Sequence, residues 1–102
     1  MMAIYPGGGA RFARHIDNTA GDGRRLTVLC YLNPTWAPAQ GGALRLWPPD
    51  GTNPVDVYPY CGRLALFYSK TVPHGVQRTA SMRHSVTLWC ASRLWCAIHD
   101  TT

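Results

Sequence analysis

The chain has 102 residues, enough for one domain with a small core. Its composition, 46% hydrophobic and 15% charged, excludes an intrinsically disordered chain. The net charge of +5 rests on nine arginines and Lys70, scattered from Arg11 to Arg93 with Arg24-Arg25 the one adjacent pair. No dense basic run with interleaved aromatics marks a nucleic-acid surface, so a basic surface with a few arginines recruited into a site is the reading adopted.

Glycines and prolines cut the chain into short apolar runs, the pattern of an all-β domain. In chain order, strands are predicted at Met2-Tyr5, Phe12-Asp17, Leu26-Leu32, Ala43-Trp47, Val55-Tyr58, Leu64-Tyr68, His74-Gln77 and Arg83-Cys90. The turn-rich segments Pro6-Gly9, Asn18-Gly23, Pro34-Gly42, Pro48-Pro54 and Ser69-Pro73 separate them. Eight short strands with such loops predict a jelly-roll double sheet. Leu94-Ile98 reads either as the start of a helix or as an irregular tail.

Alternation assigns faces. Arg25, Thr27, Leu29 and Tyr31 share one face of their strand, opposite Leu26, Val28, Cys30 and Leu32. Arg83, Ser85, Thr87 and Trp89 share a face of the last strand, opposite His84, Val86, Leu88 and Cys90. An arginine, a serine, a threonine and a tryptophan on one strand face read as the wall of a site. Cys30, Cys61, Cys90 and Cys96 form no Cys-x-x-Cys unit, which argues against structural zinc. Cys30 and Cys90 read as small core hydrophobes, and reduced thiols in an intracellular protein are the simpler expectation.

The opening, MMAIYPGGG, lacks a basic segment followed by a long apolar stretch, so no signal peptide is expected. Nor does any run of about 18 apolar residues offer a membrane span. A strand that begins almost at Met1 suggests a fragment lacking a preceding segment.

The chemistry concentrates in His15-Ile16-Asp17, in His74, and in Arg83 nine residues later. Two imidazoles and a carboxylate on a rigid β scaffold can take one face of an Fe(II) octahedron, leaving three positions for a chelating co-substrate and O2. The i, i+2 spacing on a strand aims His15 and Asp17 at one point. Alone, His-x-Asp is weak, and a structural histidine beside a solvated aspartate is its default reading. The later Pro-His and Arg-x-Ser elements, in that order on plausible strands, favour the metal.

The sequence resembles the 2-oxoglutarate-dependent prolyl hydroxylases, in particular the hypoxia-inducible-factor prolyl hydroxylases and their protist and bacterial relatives. The likeness runs from about Met2 to Trp89. It is carried by Tyr5-Pro6-Gly7, Arg14-His15-Ile16-Asp17-Asn18, Gly21-Asp22-Gly23-Arg24, Tyr31-Leu32-Asn33, Gly41-Gly42-Ala43-Leu44-Arg45, Arg63-Leu64, Pro73-His74-Gly75-Val76 and the strand from Arg83 to Trp89. The resemblance implies an all-β double-stranded β-helix (jelly-roll) core over residues 1–90, without the helices that precede it in relatives, and a divergent tail over 91–102. It implies His15, Asp17 and His74 as iron ligands and Arg83 as the partner of the distal carboxylate of 2-oxoglutarate. Tyr31 would help hold that carboxylate, Tyr5 and Thr87 would add polar contacts, and Leu29, Leu44, Val76 and Trp89 would form apolar walls.

The implied reaction uses Fe(II), 2-oxoglutarate and O2, with ascorbate as reductant, and converts a prolyl residue of a protein substrate to 4-hydroxyproline with release of succinate and CO2. A cytoplasmic location, with the nucleus as a second compartment, goes with it; neither nucleic acid nor membrane is an expected partner. Phe12 stands where animal relatives usually carry tyrosine, Gly75 replaces an acidic residue, and Ser69-Lys70-Thr71-Val72 lacks the relatives' arginine pair, so the animal substrate does not transfer. Two other readings stay open on the residues: a dioxygenase with a different target, and a silent β-sandwich that binds a partner. Tyr31 and Trp89 also read as core aromatics, and His84, Arg14 and Arg45 as surface or packing residues. His99 lies beyond the matched region.

Overall fold

A computed structural model describes residues 1–17 and 24–91, and for residues 24, 25 and 91 the backbone alone. Eight strands follow in order: β1 Met2–Tyr5, β2 Ala10–His15, β3 Arg24–Tyr31, β4 Leu44–Leu46, β5 Val55–Val57, β6 Leu64–Tyr68, β7 His74–Thr79 and β8 Arg83–Ala91. A single 3-10 turn, Pro38–Gln40, interrupts the loop before β4. The predicted turn Asn18-Gly23, the motif Gly21-Asp22-Gly23, the segment Leu94-Ile98, Cys96 and His99 lie outside the described residues.

The strands form two four-stranded sheets, ordered β1-β8-β3-β6 and β2-β7-β4-β5, with every pairing within them antiparallel. Each sheet takes strands alternately from the two ends of the chain, which is the jelly-roll, or double-stranded β-helix, expected from the sequence. The predicted faces of β3 and β8 are the observed ones: Thr27 and Tyr31, and Arg83, Ser85 and Thr87, are buried between the sheets. Cys30 and Cys90 are a correction. They fall on the opposite, outer face, half-exposed, because β3 and β8 pair as Leu26↔Cys90 and Cys30↔Val86 with the buried set turned inward. That outer face also carries the exposed Ile4, Leu64, Leu66 and Tyr68.

The apolar core is small: Tyr31, Leu44, Ala65 and Phe67, with Leu29, Leu46, Val57 and Val72 against it. Beside it the interior buries Thr27, Asn33, Ser69, His74, Thr79, Arg83, Ser85 and Thr87. Burying so many polar groups costs stability unless each is partnered, so their concentration marks a place built for something other than packing. Some are structural. Asn33 donates to the carbonyls of Pro59 (2.8 Å) and His84 (3.1 Å) and accepts from the His84 amide (2.8 Å), which pins the loop after β3 to β8. No helix among the described residues is long and apolar enough to cross a membrane.

Gly42 is a tight backbone position at the edge of the interior. Its φ is +71°, and a Cβ there would sit 2.9 Å from Trp36 Cζ2 and 3.1 Å from Thr79 Oγ1. Gly42→Ala is therefore expected to lower stability by about 1–3 kcal/mol, read from the denaturant midpoint at constant m-value. An unchanged midpoint would show that this loop relaxes freely.

Candidate active site

His15 closes β2 and His74 opens β7, directly opposite each other in the ladder. The β2–β7 pairing slips on its way there. From Phe12↔Val76 to His15↔His74, β2 advances three residues against two in β7, a bulge of the kind that re-aims side chains near sites. Asp17 departs from the sequence reading in one respect: it stands two residues past the end of β2, not on the strand. What holds it is its amide donating to the Ser69 carbonyl (3.2 Å) in the turn after β6.

The three side chains converge. One ligand atom from each of His15, Asp17 and His74 lies within 4.8 Å of the other two. Asp17 Oδ1 is 3.3 Å from His74 Nε2 and 3.7 Å from His15 Nε2. Each imidazole is oriented from behind: His15 Nδ1 is 2.8 Å from the Ala13 carbonyl, and His74 Nδ1 is 2.9 Å from the Val72 carbonyl. A carbonyl can only accept, so each Nδ1 carries a proton and each Nε2 is turned towards the shared centre. The rings of Phe12 and Phe67 brace His15 and His74, at centroid distances of 4.5 and 4.4 Å.

The second carboxylate oxygen of Asp17 is engaged elsewhere. Thr27 Oγ1 donates to Oδ2 at 2.6 Å and the Trp89 indole N–H reaches it at 3.4 Å; Thr27 Oγ1 is also 2.8 Å from Ser69 Oγ. Burial pushes the Asp17 carboxyl up, but the hydrogen bonds and charge of His74, with those from Thr27 and Trp89, outweigh it and bring it down to about 2. Asp17 is thus an anion throughout the neutral range.

The triad opens on a cavity of about 140 Å³ between the sheets. Of the residues singled out in the sequence, Tyr5, Leu29, Leu44, Val76, Arg83, Thr87 and Trp89 line it together with the triad, and so does Ser85. Tyr31 does not reach the lining: it is fully buried behind Arg83, whose guanidinium carbon lies 5.2 Å from the Tyr31 ring centroid and 5.4 Å from that of Tyr5. Arg83 is 1% exposed and its Nε donates to the Gly42 carbonyl at 2.7 Å. Among the described residues, its Nη2 and the Tyr31 hydroxyl are buried without a well-formed hydrogen bond, although the two groups lie close enough to influence each other. Burial pushes both phenols up, against the opposing charge of Arg83, so Tyr5 and Tyr31 stay protonated donors. Burial also pulls Arg83 down, though a guanidinium remains a cation. A buried cation and a buried hydroxyl, both lacking acceptors, call for a carboxylate or similar anion at the cavity base.

Sequence reasoning missed Thr27 and Ser69. Thr27 was placed on the inward face, and that position two before Leu29 was the available signal; Ser69, inside a predicted turn, offered none. Trp89, read as an apolar wall, also presents its N–H to Asp17.

Comparison with known proteins places these features among relatives. The family model of the 2OG-Fe(II) oxygenase superfamily matches residues 1–91. A hypoxia-inducible factor prolyl hydroxylase of Caenorhabditis elegans is 42% identical over 91 residues, covering 87% of this chain and 13% of that protein. A Trichoplax adhaerens prolyl hydroxylase, solved in complex with a hypoxia inducible factor oxygen degradation domain peptide fragment, superposes with a TM-score of 0.80 at 46% identity, over 86% of this chain and 40% of that one. A Pseudomonas putida prolyl-4-hydroxylase superposes with a TM-score of 0.79 at 40% identity, over 89% and 50% of the two chains. The chain thus spans half or less of the length of each of these proteins.

Thr27→Val keeps the side-chain shape but removes the donor to Asp17. It is expected to weaken divalent-metal binding by about ten- to a hundredfold with the circular dichroism unchanged, measured by Mn(II) titration calorimetry. In the metal-free protein, the folded Asp17 carboxyl at about 2 lies below its ordinary 3.8. Its ionised form therefore contributes stability above that ordinary value, and the contribution is lost as pH falls towards 2. The stability gap between wild type and Asp17→Asn should narrow on acidification below about pH 4.

Proposed function

The chain belongs to the 2OG-Fe(II) oxygenase superfamily, and from that membership we propose that it is a peptidyl-prolyl 4-hydroxylase using Fe(II), 2-oxoglutarate and O2, with ascorbate as the reductant. The observation that carries the reading is one cavity with a metal-ligating triad on its wall and an unpaired guanidinium at its base. Two imidazoles and one carboxylate suit Fe(II), which a thiolate set would not favour. The buried Arg83 Nη2 and Tyr31 hydroxyl suit the distal carboxylate of 2-oxoglutarate. The donors present therefore fit both groups. The names of the relatives, prolyl hydroxylases from animals and a bacterium, supply the substrate class.

His15, Asp17 and His74 would hold the iron, and Arg83, supported by Tyr31, Tyr5 and Thr87, would hold the co-substrate. Bound together with O2, these groups supply the oxidising power that hydroxylates a prolyl C–H bond while 2-oxoglutarate leaves as succinate and CO2. The protein's part is position and dryness. The Ala13 and Val72 carbonyls hold the Nδ1 side of both histidines and so orient the rings, and Thr27 and Trp89 keep Asp17 turned to them. Leu29, Leu44 and Val76 line the cavity with apolar surface, which limits water around the reacting centre. Phe12, half-exposed at the rim, brings no hydroxyl there. A cytoplasmic or nuclear setting accords with the free thiols of Cys30 and Cys61.

Anaerobic addition of Fe(II) and 2-oxoglutarate to the full chain should produce the weak visible metal-to-ligand charge-transfer band. Asp17→Ala should lose the band. Arg83→Ala should weaken 2-oxoglutarate binding by about ten- to a hundredfold while retaining metal affinity, as expected for a buried charge-assisted pair. In air, proline-containing peptides should gain the mass of one oxygen atom on a prolyl residue. A band with no such product would sink the prolyl substrate; no band from folded protein would sink the metal site as well.

A further inference from the structure

We propose that the outer face of the β2-β7-β4-β5 sheet carries a second binding site, an arginine-walled groove that takes an acidic segment of the same polypeptide whose prolyl residue enters the cavity. The inference rests on the hydroxylase reading above and assigns that enzyme a means of choosing its substrate.

The groove has a volume of about 540 Å³, and Arg11, Arg14, Arg45 and Arg78 stand around it with Trp47. Arg11 and Arg14 share β2, but Arg45 and Arg78 come from distant parts of the chain, and the fold brings all four together. The β2 bulge between Phe12 and His15 contains Arg14. A second slip, between Ala10↔Thr79 and Phe12↔Val76, makes β7 advance three residues against two in β2, and Arg78 lies inside it. Two bulges in neighbouring strands thus fall beside the same groove, where local departure from the pleat re-aims side chains. β4 brings Arg45 alongside Gly75 of β7.

The charges are only partly answered. Arg45 grips Asp56 through both Nε (2.8 Å) and Nη2 (3.0 Å). Arg14 lies over the Trp47 ring, 4.6 Å from its centroid. The side chains of Arg11 and Arg78 are exposed and make no hydrogen bond or ion pair among the described residues. Four arginines less the Asp56 carboxylate leave a local charge of +3. Gathering like charges on one rigid sheet raises the energy of the folded chain, and an anionic partner reverses the sign of that term.

The partner's class follows from place and shape. Phe12 and Val76 line both this groove and the triad's cavity, and Phe12 is half-exposed at the rim, so the two sites lie one pair of side chains apart and a chain crossing Phe12 meets both. Guanidinium forks match carboxylates, as Arg45 with Asp56 already shows on this face. A nucleic acid would want an open aromatic platform, and of the two rings here Trp47 is covered by Arg14 and Phe12 is tilted against His15. An acidic stretch a few residues from the target proline fits both halves.

The test is fluorescence anisotropy on the full chain with two fluorescein-labelled peptides, identical except that one carries four glutamates beside its proline and the other four glutamines, and with an oligothymidylate as a third probe. The expected result is at least about tenfold tighter binding of the glutamate peptide, weakening as salt rises. Arg11→Glu/Arg78→Glu should abolish the preference and Arg11→Gln/Arg78→Gln should reduce it, with the glutamine peptide bound as before in both. Equal affinity for the two peptides in wild type overturns the proposal whatever the variants do. So does a preference that survives both double variants, or tighter binding of the oligothymidylate than of the glutamate peptide. Anisotropy needs no turnover. A glutamate preference without hydroxylation refutes the enzyme reading and leaves the groove; hydroxylation without the preference does the reverse.

Discussion

The structure turns on a guanidinium kept out of water. Arg83 is buried on the inward face of β8, one of the two central strands of its sheet, where one N–H is answered by the Gly42 carbonyl and Nη2 makes no well-formed hydrogen bond among the described residues. Burying a cation without a counter-anion is among the costlier things a small domain can do. The surroundings make it tolerable without neutralising it: two aromatic rings face the charge, and the backbone at Gly42 comes close enough to accept because no side chain stands there. An interior with more buried polar than buried hydrophobic residues among those described goes with it. Part of the stability a fully apolar interior would contribute is given up to keep this cation inside.

The triad is built on the opposite principle, with every atom spoken for. Each histidine gives one nitrogen to a backbone carbonyl and the other to the centre, and Asp17 gives one oxygen to the centre and the other to Thr27 and Trp89. Ser69 ties the set to the turn after β6, through its carbonyl to the Asp17 amide and its hydroxyl to Thr27. Asp17 therefore needs no strand to hold it. Contacts from β3, β8 and the β6–β7 turn replace the ladder, so its position depends on both sheets and reports their correct docking. On the reading proposed above, this rigid donor set would hold a metal, and the guanidinium at the cavity base would take the far carboxylate of the co-substrate.

Much of this was legible in the sequence because it rests on periodicity and on residue types with strong local meaning. Alternation along β3 and β8 separates Thr27, Tyr31, Arg83, Ser85 and Thr87 from their neighbours, and glycine and proline punctuation places all eight strands within a few residues. What stayed illegible is what depends on register. The bulges in β2 and β7 leave no mark in composition, yet they decide where His15 and Arg14 sit relative to Val76. Cys30 and Cys90 look like core residues by chemistry and lie outside by face. Thr27 is an ordinary strand threonine until Asp17, ten residues away across the Asn18-Gly23 segment, is brought against it.

The same dependence on register governs the charge. A net +5 spread over nine arginines carries little information along the chain, since each one read singly is a solvated side chain. Folding sorts them into distinct roles. Arg83 goes inside, Arg63 covers Tyr60 at 4.5 Å, Arg45 pairs with Asp56, and Arg11, Arg14 and Arg78 collect on one face beside the cavity rim. The two anion-seeking features thus lie on opposite sides of the Phe12–Val76 pair, one buried and dry, the other open to water. Their difference in burial sets their difference in task. A desolvated guanidinium discriminates sharply for a small, fully enclosed carboxylate, whereas solvated ones act weakly and additively over a longer, variable segment.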